Sequence, residues 1–178
     1  MVHGSTGGVG MAAVQLGKYL GATVIATGTS EEKLEFTKKW GADHTLLTHK
    51  DNIVDFRDEV KDITNGKGAD VIYDPVGGDV FDHSIRCINW GGRLLVVGFA
   101  SGRIPNLPIN MALIKGFSVI GVRAGEYGRK DPKAGIENNN AIRKICEEGH
   151  FSPYVCKEFD LKDAKEAIQF LSKRKLVG

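Results

Sequence analysis

Residues 3–33 read HGSTGGVGMAAVQLGKYLGATVIATGTSEEK. A glycine cluster opens a helical pattern, Gly21 follows it as a left-handed cap, and the β-branched run 22–27 comes next, too short for a helix. Within the cluster, Ser5-Thr6-Gly7-Gly8-Val9-Gly10 fits the spacing G-x-G-x-x-G, with serine in place of the first glycine. In that pattern the second glycine lets backbone approach a pyrophosphate, and the third lets the helix pack closely on the strand. The N–H groups at the start of the helix 8–20 are free to bind an anion. Glycine-rich turns without any ligand share this local signature, so the elements around it decide.

Outward from this stretch, short apolar runs alternate with helical ones. Ser30, followed by Glu31 and Glu32, reads as the N-cap of a second helix that ends near Trp40-Gly41. A strand over 44–47 leads to a third helix with Ile53, Phe56, Val60 and Ile63 on one face, stopped by Asn65-Gly66. The runs 69–73 and 93–97 are unbroken apolar strands on either side of a helix over 80–88, as strands covered on both faces should be. A loop with Pro105 and Pro108, a short helix over 110–115 and a strand over 117–122 follow. The tail reads as helices over 132–148 and 161–173, the last capped by Asp160 and striped by Leu161, Ala164, Ile168 and Leu171. The alternation predicts an α/β fold of doubly wound (Rossmann) type. Its open parallel sheet has six strands, the first truncated to Met1-Val2-His3.

Lys and Arg number 24 against 22 Asp and Glu, a formal charge of +2 with no charged tail, which argues against a nucleic-acid or membrane partner. The three cysteines lack metal-ligand spacing and read as plain buried or half-buried thiols; no metal site is expected. No apolar run reaches the roughly 20 residues of a membrane span and no signal peptide opens the chain, so a cytoplasmic protein is expected. An NAD site usually carries an acid about 20 residues after the glycine loop. Here that position falls on Thr27-Gly28-Thr29-Ser30, which has no acid, and Lys33 follows one turn later. Hydroxyls and a cation suit a 2′-phosphate, so NADP is preferred over NAD. On the plainer reading Thr29 and Ser30 only cap a helix, and Lys33 is solvated beside Glu31 and Glu32.

The stretches 3–10 and 13–16, Gly41-Ala42-Asp43-His44, Tyr73-Asp74-Pro75-Val76-Gly77-Gly78 and 91–98 (GGRLLVVG) together resemble the cofactor domain of medium-chain dehydrogenase/reductases. They are most similar to the zinc-independent quinone oxidoreductase branch, in which a small residue such as Ser5 replaces the first fingerprint glycine. The resemblance spans residues 2–178 and implies an NADP(H)-binding domain over 1–178. It places Ser5, Thr6, Gly7, Gly8, Val9 and Gly10 at the pyrophosphate, and Gly28, Thr29, Ser30 and Lys33 around the 2′-phosphate. It also places Val76 with Gly98, Phe99 and Ala100 by the nicotinamide, and Gly121 and Val122 near its carboxamide. One departure is Leu47-Thr48, where relatives often carry Asn-Tyr against the adenosine; His49 is a surface residue on the simpler reading.

The resemblance further implies an enzyme that transfers hydride from NADPH to a quinone or an activated C=C bond, and a homodimer formed through the sheet edge 117–122. The substrate-binding barrel that precedes this domain in relatives is absent, so the chain reads as an incomplete domain, inactive by itself. A cofactor-binding module without turnover and the cofactor half of an enoyl or alkenal reductase are the alternatives. Tyr73, Asp74, Lys115 and Tyr127 are the polar groups near the expected cleft. Each reads first as structural, Asp74 as a strand-end cap, Lys115 as a helix-end charge and Tyr127 as a loop residue, and no catalytic residue is assigned.

Overall fold

The computed structural model describes residues 1–49, 52–172 and 176–177. Five strands, β1 (Ile25–Gly28), β2 (His44–Leu47), β3 (Ala69–Asp74), β4 (Ile88–Val96) and β5 (Ser118–Gly121), alternate with helices. Of these, α1 (Gly8–Tyr19), α2 (Glu31–Lys39), α3 (Arg57–Ile63), α4 (Gly78–Cys87) and α5 (Ile109–Lys115) form the crossovers. Three more, α6 (Ala124–Lys130), α7 (Pro132–Glu147) and α8 (Ala164–Ser172), complete the order.

All pairings between these strands are parallel. Val2 bridges Ala26 of β1 and Tyr73 of β3, so the order across the sheet is β2, β1, Val2, β3, β4, β5. The sixth strand is therefore present as Met1 to His3, short but paired along both sides. Val2 donates to the Ile25 carbonyl at 2.8 Å and accepts from Thr27 at 2.9 Å, while His3 donates to Tyr73 at 3.0 Å. Neighbouring strand residues face opposite sides of a sheet, and here Val2 and His3 divide the two layers. Val2 joins Val14, Val24, Ala26 and Ala42 in the core beneath α1. His3 faces the larger core, where Phe56, Val60, Ile72, Ile85 and Leu94 pack under α3 and α4.

Several boundaries differ from expectation for local reasons. The strand expected over 22–27 starts at Ile25, because the Asp43 carboxylate captures the Val24 N–H at 2.8 Å and Asp43 and His44 both donate to the Val24 carbonyl. The helix expected to include Ile53 and Phe56 starts at Arg57, whose N–H donates to the Asp55 side chain at 3.1 Å. Helix α6 has no expected counterpart: Gly125 and Gly128 blur its period, and Tyr127 lies on it rather than in a loop. A methyl group at Gly135 would stand 2.9 Å from the Cα of Gly128, so α6 and α7 meet through two glycines.

The tail departs most from the amphipathic reading. A 3-10 turn at Leu161–Asp163 precedes α8, Asp160 pairs with Lys162 instead of capping, and residue 173, the expected end, lies outside the described residues. The stripe is uncovered, with Leu161 93% and Ile168 71% exposed. Of the cysteines, Cys87 is buried as expected, but Cys146 and Cys156 are exposed. Among the described residues no helix is long and apolar enough to cross a membrane.

Candidate functional site

The chain leaves Val2 toward α1 on one side and reaches β3 on the other, so the sheet order reverses at this central strand. In open parallel sheets the crevice beyond the strand ends at such a reversal is where ligands sit. The loop 4–7 rises from it. Its tight turn is made by Gly4, at φ 58°, while Ser5 is absent from the positive-φ residues. The small residue at the first fingerprint position therefore does something else. Ser5 is fully buried, and both its N–H and its hydroxyl donate to the Thr27 carbonyl at 3.0 Å. It ties the loop to the end of β1.

The other two fingerprint glycines have different causes. A methyl group at Gly10 would land on the Gly4 carbonyl and lie 2.7 Å from the Ser5 Cα, so the protein itself requires glycine there. At Gly7 the nearest atom to such a methyl is the Gly4 oxygen at 3.7 Å, an ordinary contact, and the backbone (φ −93°, ψ 164°) suits any residue. Among the described residues, nothing calls for glycine at position 7. Gly7 N-caps α1 with no side-chain hydrogen bond, and Gly8 and Val9 are exposed in the first turn, leaving N–H groups for an anion.

The remaining expected residues gather along the same edge. Gly28 ends β1 with Thr6 against it: a methyl group there would meet Thr6 Cγ2 at 3.3 Å. Thr29 is exposed, whereas the Ser30 hydroxyl already accepts from the Lys33 N–H at 3.4 Å as the α2 cap. The helix-cap reading of this segment is thus met by Ser30, with the exposed Thr29 beside it. Val76 approaches the loop, its Cγ2 3.4 Å from a methyl built on Gly4. Ala100 and Ser101 donate to the Pro75 and Val76 carbonyls at 3.0 Å, folding the turn that carries Gly98 and Phe99 back over β3. Gly121 and Val122 continue the row one strand further, Val122 donating to the Val96 carbonyl at 2.9 Å.

Sequence reasoning missed Thr48. It is buried at the end of β2, where its N–H (2.8 Å) and hydroxyl (3.1 Å) both donate to the Gly28 carbonyl. Only the pairing of β1 with β2 gives it that part, and no local motif announces it. Two of the polar candidates, Asp74 and Lys115, bind backbone groups. Asp74 accepts from the Val76 and Gly77 N–H groups at 2.8 and 2.9 Å, and its burial pushes the carboxyl above the usual range. The Lys115 ammonium caps α4, donating to the Arg86 and Ile88 carbonyls at 2.8 and 3.1 Å. Lys115→Met should therefore cost about 1 kcal/mol in a urea denaturation and leave ligand affinity within twofold of wild type.

The profile of the family described as zinc-binding dehydrogenase matches residues 8–139. The chain belongs to that family. Its relatives include quinone oxidoreductase-like proteins and reductases. It is 35% identical over 179 aligned residues to a quinone oxidoreductase-like protein 2 homolog of Nematostella vectensis, covering 100% of this chain and 48% of that one. It is 31% identical to a 2-haloacrylate reductase of a Burkholderia species, covering 53% of it. The crystal structure of Escherichia coli quinone oxidoreductase complexed with NADPH superposes with a TM-score of 0.83 at 28% identity, over 99% of this chain and 54% of that one. The chain spans about half the length of the curated relatives it matches. Among the described residues of this family member no three His, Cys, Asp or Glu side chains gather as a metal would require.

Proposed function

We propose that residues 1–178 form the NADP(H)-binding domain of a quinone oxidoreductase-like enzyme. The carrying observation is Gly7, which is glycine without any internal reason while its neighbour Gly10 has a compelling one. The backbone N–H groups of Gly8 and Val9 would hold the pyrophosphate, with Gly7 letting it approach, and Thr29, Ser30 and Lys33 would receive the 2′-phosphate. The nicotinamide would lie between Val76, the 98–100 turn and Gly121-Val122. NADPH when bound supplies a hydride; the chain's part is to fix the cofactor at the sheet edge and to present its ring. The substrate is an electron-poor small molecule, a quinone by the Nematostella relative's name. The Burkholderia relative favours an activated C=C bond as a second reading.

The whole enzyme would place its substrate between this domain and a second one. Its subunits would pair through β5, whose Val119 and Ile120 are about 40% exposed at an open edge near the exposed Leu113 and Ile114. Ile120→Lys is expected to halve the mass measured by light scattering. Free exposed thiols at Cys146 and Cys156 support a reducing, cytoplasmic setting.

A calorimetric titration tests the cofactor. NADPH should bind at least tenfold more tightly than NADH, and Lys33→Ala should weaken NADPH about tenfold while sparing NADH, as expected for loss of one charge-assisted phosphate contact. Equal affinities for both dinucleotides would overturn the 2′-phosphate assignment; failure of both to bind would overturn the function.

A further inference from the structure

Beneath the glycine loop lies a polar chain with no place in the fingerprint. His3, Thr27 and Ser84 are each fully buried, on the central strand, β1 and α4. His3 Nδ1 is 2.7 Å from Thr27 Oγ1, and its Nε2 is 2.8 Å from Ser84 Oγ. The hydrogens can be assigned by counting. Ser84 has one hydroxyl hydrogen and donates it to the Val80 carbonyl at 2.7 Å, so toward His3 it can only accept. Nε2 therefore carries the proton and Nδ1 does not, and Thr27 donates to Nδ1. Every hydrogen in the chain then has one acceptor, and a second ring proton would have only the Thr27 oxygen to face, stranding that hydroxyl's hydrogen. The Phe56 ring, centred 5.6 Å from His3, closes the space beside it.

Thr27 is the hub of these contacts. Its carbonyl takes both Ser5 donors, its N–H donates to Val2, its hydroxyl holds His3, and the next residue is Gly28. We infer that His3, as the neutral Nε2–H tautomer, is a positioning residue of the dinucleotide site. It locks α4 through Ser84 to the β1 end through Thr27, and so sets the spacing between the 4–7 loop and the 28–30 loop. The inference rests on the NADP(H) reading above. None of the three side chains touches the ligand; they act through Ser5 and Gly28.

Two measurements on the whole chain test it. Long-range proton–nitrogen NMR at pH 7 on the labelled wild type should show His3 with Nε2 protonated and Nδ1 bare; a protonated Nδ1 overturns the relay. Calorimetry with NADPH on Thr27→Val, Ser84→Ala and the double variant, each checked for folding by its thermal transition, gives the second readout. Thr27→Val is expected to weaken NADPH at least tenfold. The double variant should lose much less than the product of the single losses, because either change breaks the same chain, although the two hydroxyls never touch. Unchanged affinity in a folded Thr27→Val, or strictly multiplicative losses, overturns the positioning role while leaving the cofactor reading standing. Failure of the wild type to bind NADPH overturns that reading and this one together.

Discussion

Gly10→Ala and Gly7→Ala should fail in opposite ways, although the two glycines are three residues apart in one motif. The Gly10 methyl would strike the Gly4 carbonyl and the Ser5 backbone, neither of which can yield without moving the central strand. Overpacking against backbone costs about 3 kcal/mol, which for a domain of this size lowers the thermal midpoint on the order of 10 °C. Gly10→Ala should thus be poorly folded and unable to bind NADPH. The Gly7 methyl meets nothing closer than 3.7 Å, so Gly7→Ala should melt within a few degrees of wild type. Its NADPH affinity should nevertheless fall at least a hundredfold, because the methyl would occupy the space in which the pyrophosphate meets the helix N-terminus. Differential scanning calorimetry beside isothermal titration separates the two failures. A Gly7→Ala protein that is stable and binds normally would show that the loop is a turn and nothing more.

Acid should destabilise this domain steeply, with His3 responsible for much of the slope. Burial first, and the Met1 amino group second, pull the imidazole from 6.5 down to about 3. The unfolded chain thus binds more protons than the folded one between these values. The neutral ring's contribution is complete above 6.5 and is lost progressively as pH falls toward 3. Two pH units below the unfolded value, the loss amounts to about 3 kcal/mol. Asp55 works in the same direction at lower pH, since hydrogen bonds from Arg57 hold its carboxyl well below the usual range. Urea denaturation at pH 7.5 and 4.5 should give a wild-type difference of that order. His3→Gln should be less stable at pH 7.5 but show a markedly flatter dependence. An equal slope in both proteins would mean that His3 does not titrate on unfolding.

What the sequence made legible was whatever one residue type signals on its own. Glycine at 7 and 10, an acid-free end to β1 and unbroken apolar strands at β3 and β4 all carry their meaning locally, and they located the sheet and the loop. What stayed hidden depends on partners distant in the chain. Val24 leaves the strand because Asp43 takes its N–H; Ser5 turns inward because the Thr27 carbonyl waits there; Thr48 matters only once β2 lies beside β1. Helix α6 escaped because glycines that let it touch α7 also erase its periodicity. The tail misled in another way: its stripe is a true amphipathic pattern, yet no described element covers it.

The short central segment in the middle of the sheet has a thermodynamic meaning. β1 pairs with β2, and β4 with β3 and β5, using segments close together in sequence. The short segment Met1 to His3 latches these two units, Val2 bridging Ala26 and Tyr73 and His3 bonding Thr27 and Ser84. The glycine loop grows out of that latch, and the residues proposed to hold the cofactor's two ends lie one set on each unit. A dinucleotide bound across them would act as a clasp, so that its binding free energy is added to the step joining the two halves. Ligand would then be felt most at the seam between the two halves.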